Sequence, residues 1–289
     1  MPNKPAVNHV YIEGQNFLYG HRSLYPRRKI DFKLHTHDGY EIYIFIEGNA
    51  EYVIESKIYP MKPYDILITK NDELHQVKHL SFRKFYERTV IEVNDEFFEE
   101  NNCMEYLPIL KVRNNDSDNI ISPNYDGRIK LIECMERIEG YMKESEGKGE
   151  AIARAGIIEL LHVINNLKSK TVQVKRNKNI SKIIEYIDKN LTSEIKLEDI
   201  ADSMFMSKYH ICRIFKEHTG ITIYKYITNK RIQLVQKMYA NGMTLSTSSL
   251  NAGFSSYSSF YKSYMRETGK SPRNDIENYN LFKDMTFKE

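Results

Sequence analysis

The sequence predicts an α+β chain of two domains: a strand-rich N-terminal barrel or sandwich, then an all-α C-terminal domain. Three observations carry that expectation. The length of 289 residues fits two domains at about 100–200 residues each. The apolar pattern changes from short Ile-, Val-, Tyr- and Phe-rich runs before Val93 to helical spacing after it. Charge changes too: from Lys175 onward there are 19 Lys and Arg against 12 Asp and Glu, which leaves 23 against 27 before it. A basic C-terminal part points to a polyanionic partner.

Glu41–Ile46, Glu51–Ile54, Asp65–Thr69 and Thr89–Val93 read as strands, separated by turn residues at Glu47–Asn49, Pro60–Pro63 and Asn71–Glu73. Short strands at this close spacing favour a barrel or sandwich over βαβ units. Asp95–Asn101 reads as a short helix and Asn114–Asn119 as a polar loop. Helices over Tyr125–Glu144 and Glu150–Lys168 follow, joined by a turn at Glu146–Gly149. The first has Ile129, Ile132, Met135, Glu136, Ile138 and Met142 near one stripe; the second has Ile152, Ile157, Leu160, Leu161 and Ile164. Such a pair serves either as cover for the core or as the seam of a dimer. The expected boundaries are residues 1–170 for the first domain, 171–178 for a charged linker and 179–289 for the second domain.

Within that last segment every element reads as helical. Ile180, Ile183, Ile184 and Ile187 form one apolar set, and Leu197, Ile200, Ala201 and Met204 another. Ser207 caps a helix running through Lys216 and stopped at Gly220; a longer helix spans Thr222–Ala240 before Asn241-Gly242. Two helix-turn-helix plans emerge. The first is Leu197–Phe205, a turn at Met206–Ser207 and Lys208–Lys216. The second is Leu245–Ala252, a turn at Gly253–Ser255 and Ser256–Thr268, ended by Gly269.

The tandem resembles the DNA-binding domain of the AraC/XylS family of bacterial transcription regulators over Ile180–Ser271. Ala201, Ser207, Phe215, Lys216, Gly220, Tyr226, Arg231, Gly253, Phe254, Phe260, Gly269 and Pro272 carry the likeness. One departure is Ser246-Thr247-Ser248-Ser249, where the family has an apolar, acidic, apolar, Ala pattern. Buried serines lose apolar area and compete for backbone hydrogen bonds, so the second unit is expected to be the less stable one, completing its fold on DNA. The resemblance implies double-stranded promoter DNA as partner. It assigns the reading face of the first unit to Lys208, Tyr209, Cys212 and Arg213, and that of the second to Ser256, Tyr257, Ser258, Ser259 and Lys262. Arg213 suits a bidentate contact to guanine and Lys208 a phosphate. The plainer reading of each is a solvated helix face.

In the strand region, His35-Thr36-His37, Glu41 and Gly48 are followed by His75. This spacing resembles the cupin barrel, in which such His and Glu side chains converge on a metal. Lys29, Tyr64, Lys70 and Asp72 replace turn residues of the cupin pattern. The resemblance to effector-sensing regulators therefore points to a sugar-like small molecule, held by His35, His37, Glu41, Tyr43 and His75. A divalent metal on His35, His37, Glu41 and His75 is the alternative, suiting Zn, Fe, Mn or Ni. Tyr40, Phe45, Tyr52 and Tyr86 are further pocket candidates, and Val7–Arg28, with Tyr11, His21, Arg22, Arg27 and Arg28, reads as an arm closing over the ligand.

The sequence thus reads as a cytoplasmic, homodimeric, effector-responsive activator that also meets RNA polymerase, with no resident cofactor and no enzymatic activity. Its alternatives are a metal-dependent cupin enzyme carrying a DNA-binding tail and a regulator controlled by a protein partner. No GxSxG or P-loop motif occurs. Cys103, Cys134 and Cys212 have no metal-site or disulfide spacing. The longest uncharged apolar run, Ile42–Ile46, is far too short to span a membrane.

Overall fold

The computed structural model describes residues 9–25, 34–37, 39–81, 84–112, 119–144, 149–167 and 175–277. The chain divides into an N-terminal unit that runs to Lys175 and a C-terminal unit that begins at Arg176.

The first unit contains β1 (His9–Glu13), β2 (Phe17–Leu24), β3 (Tyr40–Glu47), β4 (Ala50–Ile54), β5 (Lys57–Pro60), β6 (Ile66–Thr69), β7 (His75–His79), β8 (Tyr86–Val93) and β9 (Ile120–Ile121). One sheet has the order β1-β2-β8-β3-β6-β9; in the other, β4 lies between β5 and β7. Neighbouring strands run antiparallel. Alternation along each strand decides which core a side chain joins. Ile42 and Ile44 of β3 pack outward with Ile66, Ile68, Ile91 and Val93. There they meet α1 (Asp95–Glu100), α2 (Leu107–Lys111), α3 (Tyr125–Glu144) and α4 (Glu150–Asn165), through Phe97, Phe98, Leu110, Leu131, Ile138, Ile157 and Leu161. Tyr43 and Phe45, on the opposite face of β3, pack with Tyr52, Tyr59 and Val77 of the second sheet. A flattened barrel results, with an aromatic interior between two sheets.

The α+β expectation holds, with local differences. The four expected strands are present, and β1, β2, β5, β7 and β9 join them. The supposed N-terminal arm forms β1 and β2; its Arg27 and Arg28 lie outside the described residues. Gly20, His21, Arg22 and Ser23 are poor local strand signals, but β2 pairs with β8 along its whole length, from Phe17 opposite Val93 to Leu24 opposite Tyr86. Tyr40 joins the outer core rather than the barrel interior, with its hydroxyl 3.0 Å from Asp95 Oδ1. The buried stripe of α3 is Leu131, Cys134, Met135, Ile138 and Met142, which leaves Ile129 partly exposed. The expected loop at 114–118, most of the turn at 146–149 and residues 168–174 fall outside the described residues.

A polar clip ties the sheet to α3. The ring of His21 lies 2.9 Å from Glu87 Oε1 on β8 and 2.5 Å from Glu139 Oε1 on α3, and the Tyr19 hydroxyl donates to Glu139 at 3.0 Å. Burial opposes the imidazolium charge, but the carboxylates of Glu139 and Glu87 outweigh it and hold His21 up at about 9. Because the folded state binds this proton more tightly than the unfolded chain, the stabilisation is complete below pH ~6.5 and is lost as pH rises through about 9. Thermal melts from pH 6 to 10 should therefore show a fall in Tm that His21→Gln flattens; parallel curves would refute the clip.

The second unit comprises α5 (Lys178–Asn190), α6 (Leu197–Ser203), α7 (Lys208–Thr219), α8 (Ile223–Ala240), α9 (Leu245–Asn251), α10 (Tyr257–Thr268) and α11 (Pro272–Glu277). The side chains of Asn177, Ser207, Thr222, Thr244 and Ser256 cap the N-termini of five of these helices. Gly220 and Gly269 close α7 and α10 in the left-handed conformation, at φ 77° and 76°. Despite its serines, α9 is helical: Thr244 caps it, and Ser249 Oγ donates to the Ser246 carbonyl at 2.8 Å. Ser248 Oγ is buried with no hydrogen-bond partner among the described residues. Ser248→Ala should consequently stabilise this unit by about 1 kcal/mol, read from its urea midpoint. No helix among the described residues is long and apolar enough to cross a membrane.

Candidate functional site

Two groups of side chains concentrate chemistry, one in each unit. In the barrel, Glu41 on β3 lies opposite Thr69 of β6 and Glu92 of β8. His75 opens β7 and is joined to His35 by a pair of backbone hydrogen bonds, 3.1 Å and 2.9 Å long. This isolated bridge, rather than a continuous strand through His35 and His37, brings the sequence-distant histidines together. The centroids of the three imidazoles lie 4.6–5.0 Å apart. His37 Nε2 is 3.0 Å from Glu41 Oε2, and His75 Nε2 is 3.7 Å from Glu41 Oε1. One ligand atom from each of His35, His37, Glu41 and His75 falls within 4.8 Å of the others.

The surroundings orient these groups. His75 Nδ1 lies 2.9 Å from the Glu73 carbonyl oxygen, which only accepts, so Nδ1 carries a proton and Nε2 faces Glu41. His37 Nδ1 lies 3.3 Å from Glu92 Oε1 while its Nε2 faces Glu41. A carbonyl or carboxylate behind an imidazole is the arrangement that aims its other nitrogen at a cation. The Tyr52 hydroxyl donates to Glu41 Oε1. Burial works against the charge of Glu41, yet His75 and His37 hold its carboxyl well below the usual range. Burial pushes Glu92 up to about 7; His37 opposes that rise and Glu41 adds to it.

The donor set fits a divalent transition metal. Bonds of about 2.1 Å place ligand atoms no more than about 4.2 Å apart, which calls for closure of roughly half an ångström. Tyr43, the fifth residue of the expected effector set, follows Glu41 on the same face. Its ring centroid is 4.8 Å from that of Tyr52, Arg88 lies 5.7 Å above it, and its buried hydroxyl has no hydrogen-bond partner among the described residues. Sequence reasoning missed Arg88 and Glu92. Both lie on the inward face of β8, which only the β3–β8 register reveals. The Tyr64 departure keeps the shape of the turn at the expense of backbone strain: Tyr64 adopts the left-handed conformation, φ 70°, that a glycine would take freely.

In the second unit the two helix-turn-helix units repeat one another closely. The N–H of Phe205 donates to the Asp202 carbonyl, and that of Gly253 to the Leu250 carbonyl. Met206 donates to Ala201, and Phe254 to Ser249, at 3.0 and 3.1 Å. The positive φ of each turn falls at equivalent positions, Phe205 (54°) and Gly253 (92°). Phe205 is 98% exposed, an outlier no sequence signal marked. Ile211 and Phe215 bury one face of α7, and Phe260 and Tyr264 one face of α10.

On the opposite face of α7, Lys208, Tyr209 and Arg213 are exposed and Cys212 is half-buried. On the second unit, Ser256, Tyr257, Ser258 and Lys262 are exposed and Ser259 is half-buried, its N–H donating to the Ser256 cap at 3.1 Å. Lys208 pairs with Glu198, and Arg213 with Glu217 at 3.0 Å. Such exposed pairs are worth about 0–1 kcal/mol and open readily for a phosphate or a base edge.

Residues 19–101 match the family described as AraC-like ligand binding domain, and residues 200–277 match the Helix-turn-helix domain. The chain is 20% identical to the uncharacterised HTH-type transcriptional regulator YfiF of Bacillus subtilis over 245 residues, 83% of this chain and 77% of YfiF. It is 31% identical to the HTH-type transcriptional activator AarP of Providencia stuartii over 94 residues, 32% of this chain and 70% of AarP. Among solved structures, ToxT from Vibrio cholerae, bound to an unsaturated fatty acid, aligns over 93% of this chain and 97% of its own, at 14% identity and a TM-score of 0.37.

Proposed function

Because this chain belongs to the AraC/XylS family of DNA-binding transcriptional regulators, we propose that it activates transcription from promoter DNA in response to a small effector bound inside its barrel. The observation that carries this reading is the repeat of two equally capped helices, α7 and α10, each with one buried and one exposed polar face. Lys208, Tyr209, Cys212 and Arg213 read one major-groove segment, and Ser256, Tyr257, Ser258, Ser259 and Lys262 the next. The protein works in the cytoplasm as a homodimer and meets RNA polymerase at the promoter. Exposed apolar side chains on α3 and α4, among them Tyr125, Ile129, Tyr141 and Ile152, support the dimer. Two copies also supply the avidity that one small basic domain lacks.

The effector is a sugar-like molecule that hydrogen-bonds to His35, His37, Glu41 and His75 and stacks against Tyr43. Inward tyrosines 43, 52, 59 and 86 support this reading. A specific observation favours a second occupant of the same site: the acceptors behind His37 and His75 turn a nitrogen of each towards Glu41. A divalent metal there would be held by His35, His37, Glu41 and His75, supplying a cross-link between the His35 segment, β3 and β7.

Elemental mass spectrometry of untagged protein beside a His35→Ala/His75→Ala double variant separates the two occupants. Near-stoichiometric metal in the wild type, lost in the variant, selects the metal; none in either leaves His35, His37, Glu41 and His75 as hydrogen-bonding groups. A panel of sugars and divalent ions is then scored by thermal shift and by anisotropy of a labelled operator. A proven ligand that leaves both DNA affinity and half-site spacing unchanged overturns the sensing role.

A further inference from the structure

Arg231, on the long helix α8, sits at a joint between the two helix-turn-helix units. Its Nε donates to the Leu191 carbonyl at 2.9 Å and its terminal nitrogen to the Ser193 carbonyl at 2.6 Å. Those carbonyls belong to the loop between α5 and α6, which enters the first unit. The turn of the second unit packs on the same loop. A Cβ at Gly253 would lie 2.7 Å from the Leu191 carbonyl oxygen, 3.0 Å from Arg231 Nε and 3.0 Å from the Thr192 carbonyl carbon. Gly253 also has a φ of +92°, so both its conformation and the close approach require glycine. Elsewhere α8 is tied to each side by a single ammonium contact: Lys230 to Asp188 of α5 at 3.8 Å, and Lys225 to Glu267 of α10 at 2.6 Å. Just after Arg231, Ile232 and Val235 enter the core formed with Phe254, Phe260 and Tyr264.

We propose that Arg231, Gly253 and the Leu191–Ser193 carbonyls form a clamp that fixes the distance and rotation between the two reading helices, so that spacing between the two DNA elements is itself read. Arg231 is thus a positioning residue: it acts through the loop and the turn, and touches no base. The physical ground is geometric. A guanidinium that donates to two carbonyls of one loop from two separate nitrogens of a rigid plane restrains translation and rotation together, which an ammonium, whose three donors radiate from one nitrogen, does not. With the joint rigid, the second contact on a correctly spaced duplex forms at high effective concentration, and a one-base-pair shift rotates it off the groove.

The proposal rests on the DNA-binding reading, and its test separates the two. Full-length protein is titrated by anisotropy against a selected operator, the same operator with one base pair added or removed between its elements, and a duplex carrying one element. If the wild type binds none of these better than random DNA, the DNA-binding reading fails and not the clamp alone. With wild-type specificity established, Arg231→Ala should weaken the native two-element duplex about tenfold. It should leave one-element binding within about twofold and flatten the penalty for changed spacing. Arg231→Lys should recover only part of the discrimination. Loss of one-element and two-element binding in equal measure, with helical circular dichroism intact, would overturn the clamp, as would an unchanged spacing profile. Should Arg231→Ala fail to fold, Gly253→Ala decides by the same three duplexes.

Discussion

Glu41→Leu is expected to destabilise the barrel by about 3–5 kcal/mol, the usual consequence of removing one partner from a buried charged cluster. The carboxylate is almost fully buried and receives the Tyr52 hydroxyl while facing His37 and His75. Its loss takes the shared acceptor from the Tyr52 hydroxyl and leaves the Nε2 atoms of His37 and His75 facing an apolar side chain, while their Nδ1 atoms keep Glu92 and the Glu73 carbonyl. Glu41→Gln should show a smaller loss, of about 1–3 kcal/mol, because the amide oxygen still accepts from Tyr52 while the charge is gone. Urea unfolding followed by tyrosine fluorescence measures both. Equal, near-zero effects would mean that Glu41 is solvated or expendable, and the cluster would lose its centre.

Arg213→Ala is expected to weaken binding to the selected operator by about 1–3 kcal/mol and to relax preference at one base pair. Arg213 lies on the exposed face of α7, held in a fork by Glu217 at 3.0 Å, with His210 Nδ1 3.3 Å away. That exposed pair contributes little, so the guanidinium is available to a guanine edge. Lys208→Ala gives the contrast. As a phosphate contact it should weaken operator and random duplexes alike and lower the salt slope by about one. Identical behaviour of the two variants would remove base reading from Arg213.

The helical unit was the more legible in the sequence because its signals are local. Ser207, Thr222, Ser256, Gly220 and Gly269 are punctuation that acts within one turn of the residues it controls. The barrel was harder. β2 has few strand-forming residues and exists through its ladder to β8, a pairing that no local window contains. The same holds at the site. The grouping of His35, His37, Glu41 and His75 was legible only through the resemblance of their spacing to the cupin barrel, and its mechanism was not legible at all: His35 reaches His75 through a single bridge instead of a strand. Glu92 and Arg88 depend on the register of β8 against β3, and their alternation with Val90 carries no motif. Ser248 is the reverse case. The sequence flagged it as a liability, and its buried hydroxyl without a partner gives that flag a physical cause.

Sequence-specific DNA reading by α7 and α10 is the claim on which the rest depends, and selection from random duplexes tests it most directly. Full-length protein is used to enrich bound duplexes over several rounds, and the winner is footprinted with hydroxyl radicals. The account predicts two enriched elements about 10 base pairs apart, protected on one face of the helix. Absence of any enriched sequence, with binding to random duplexes as strong as to the selected pool, would contradict it.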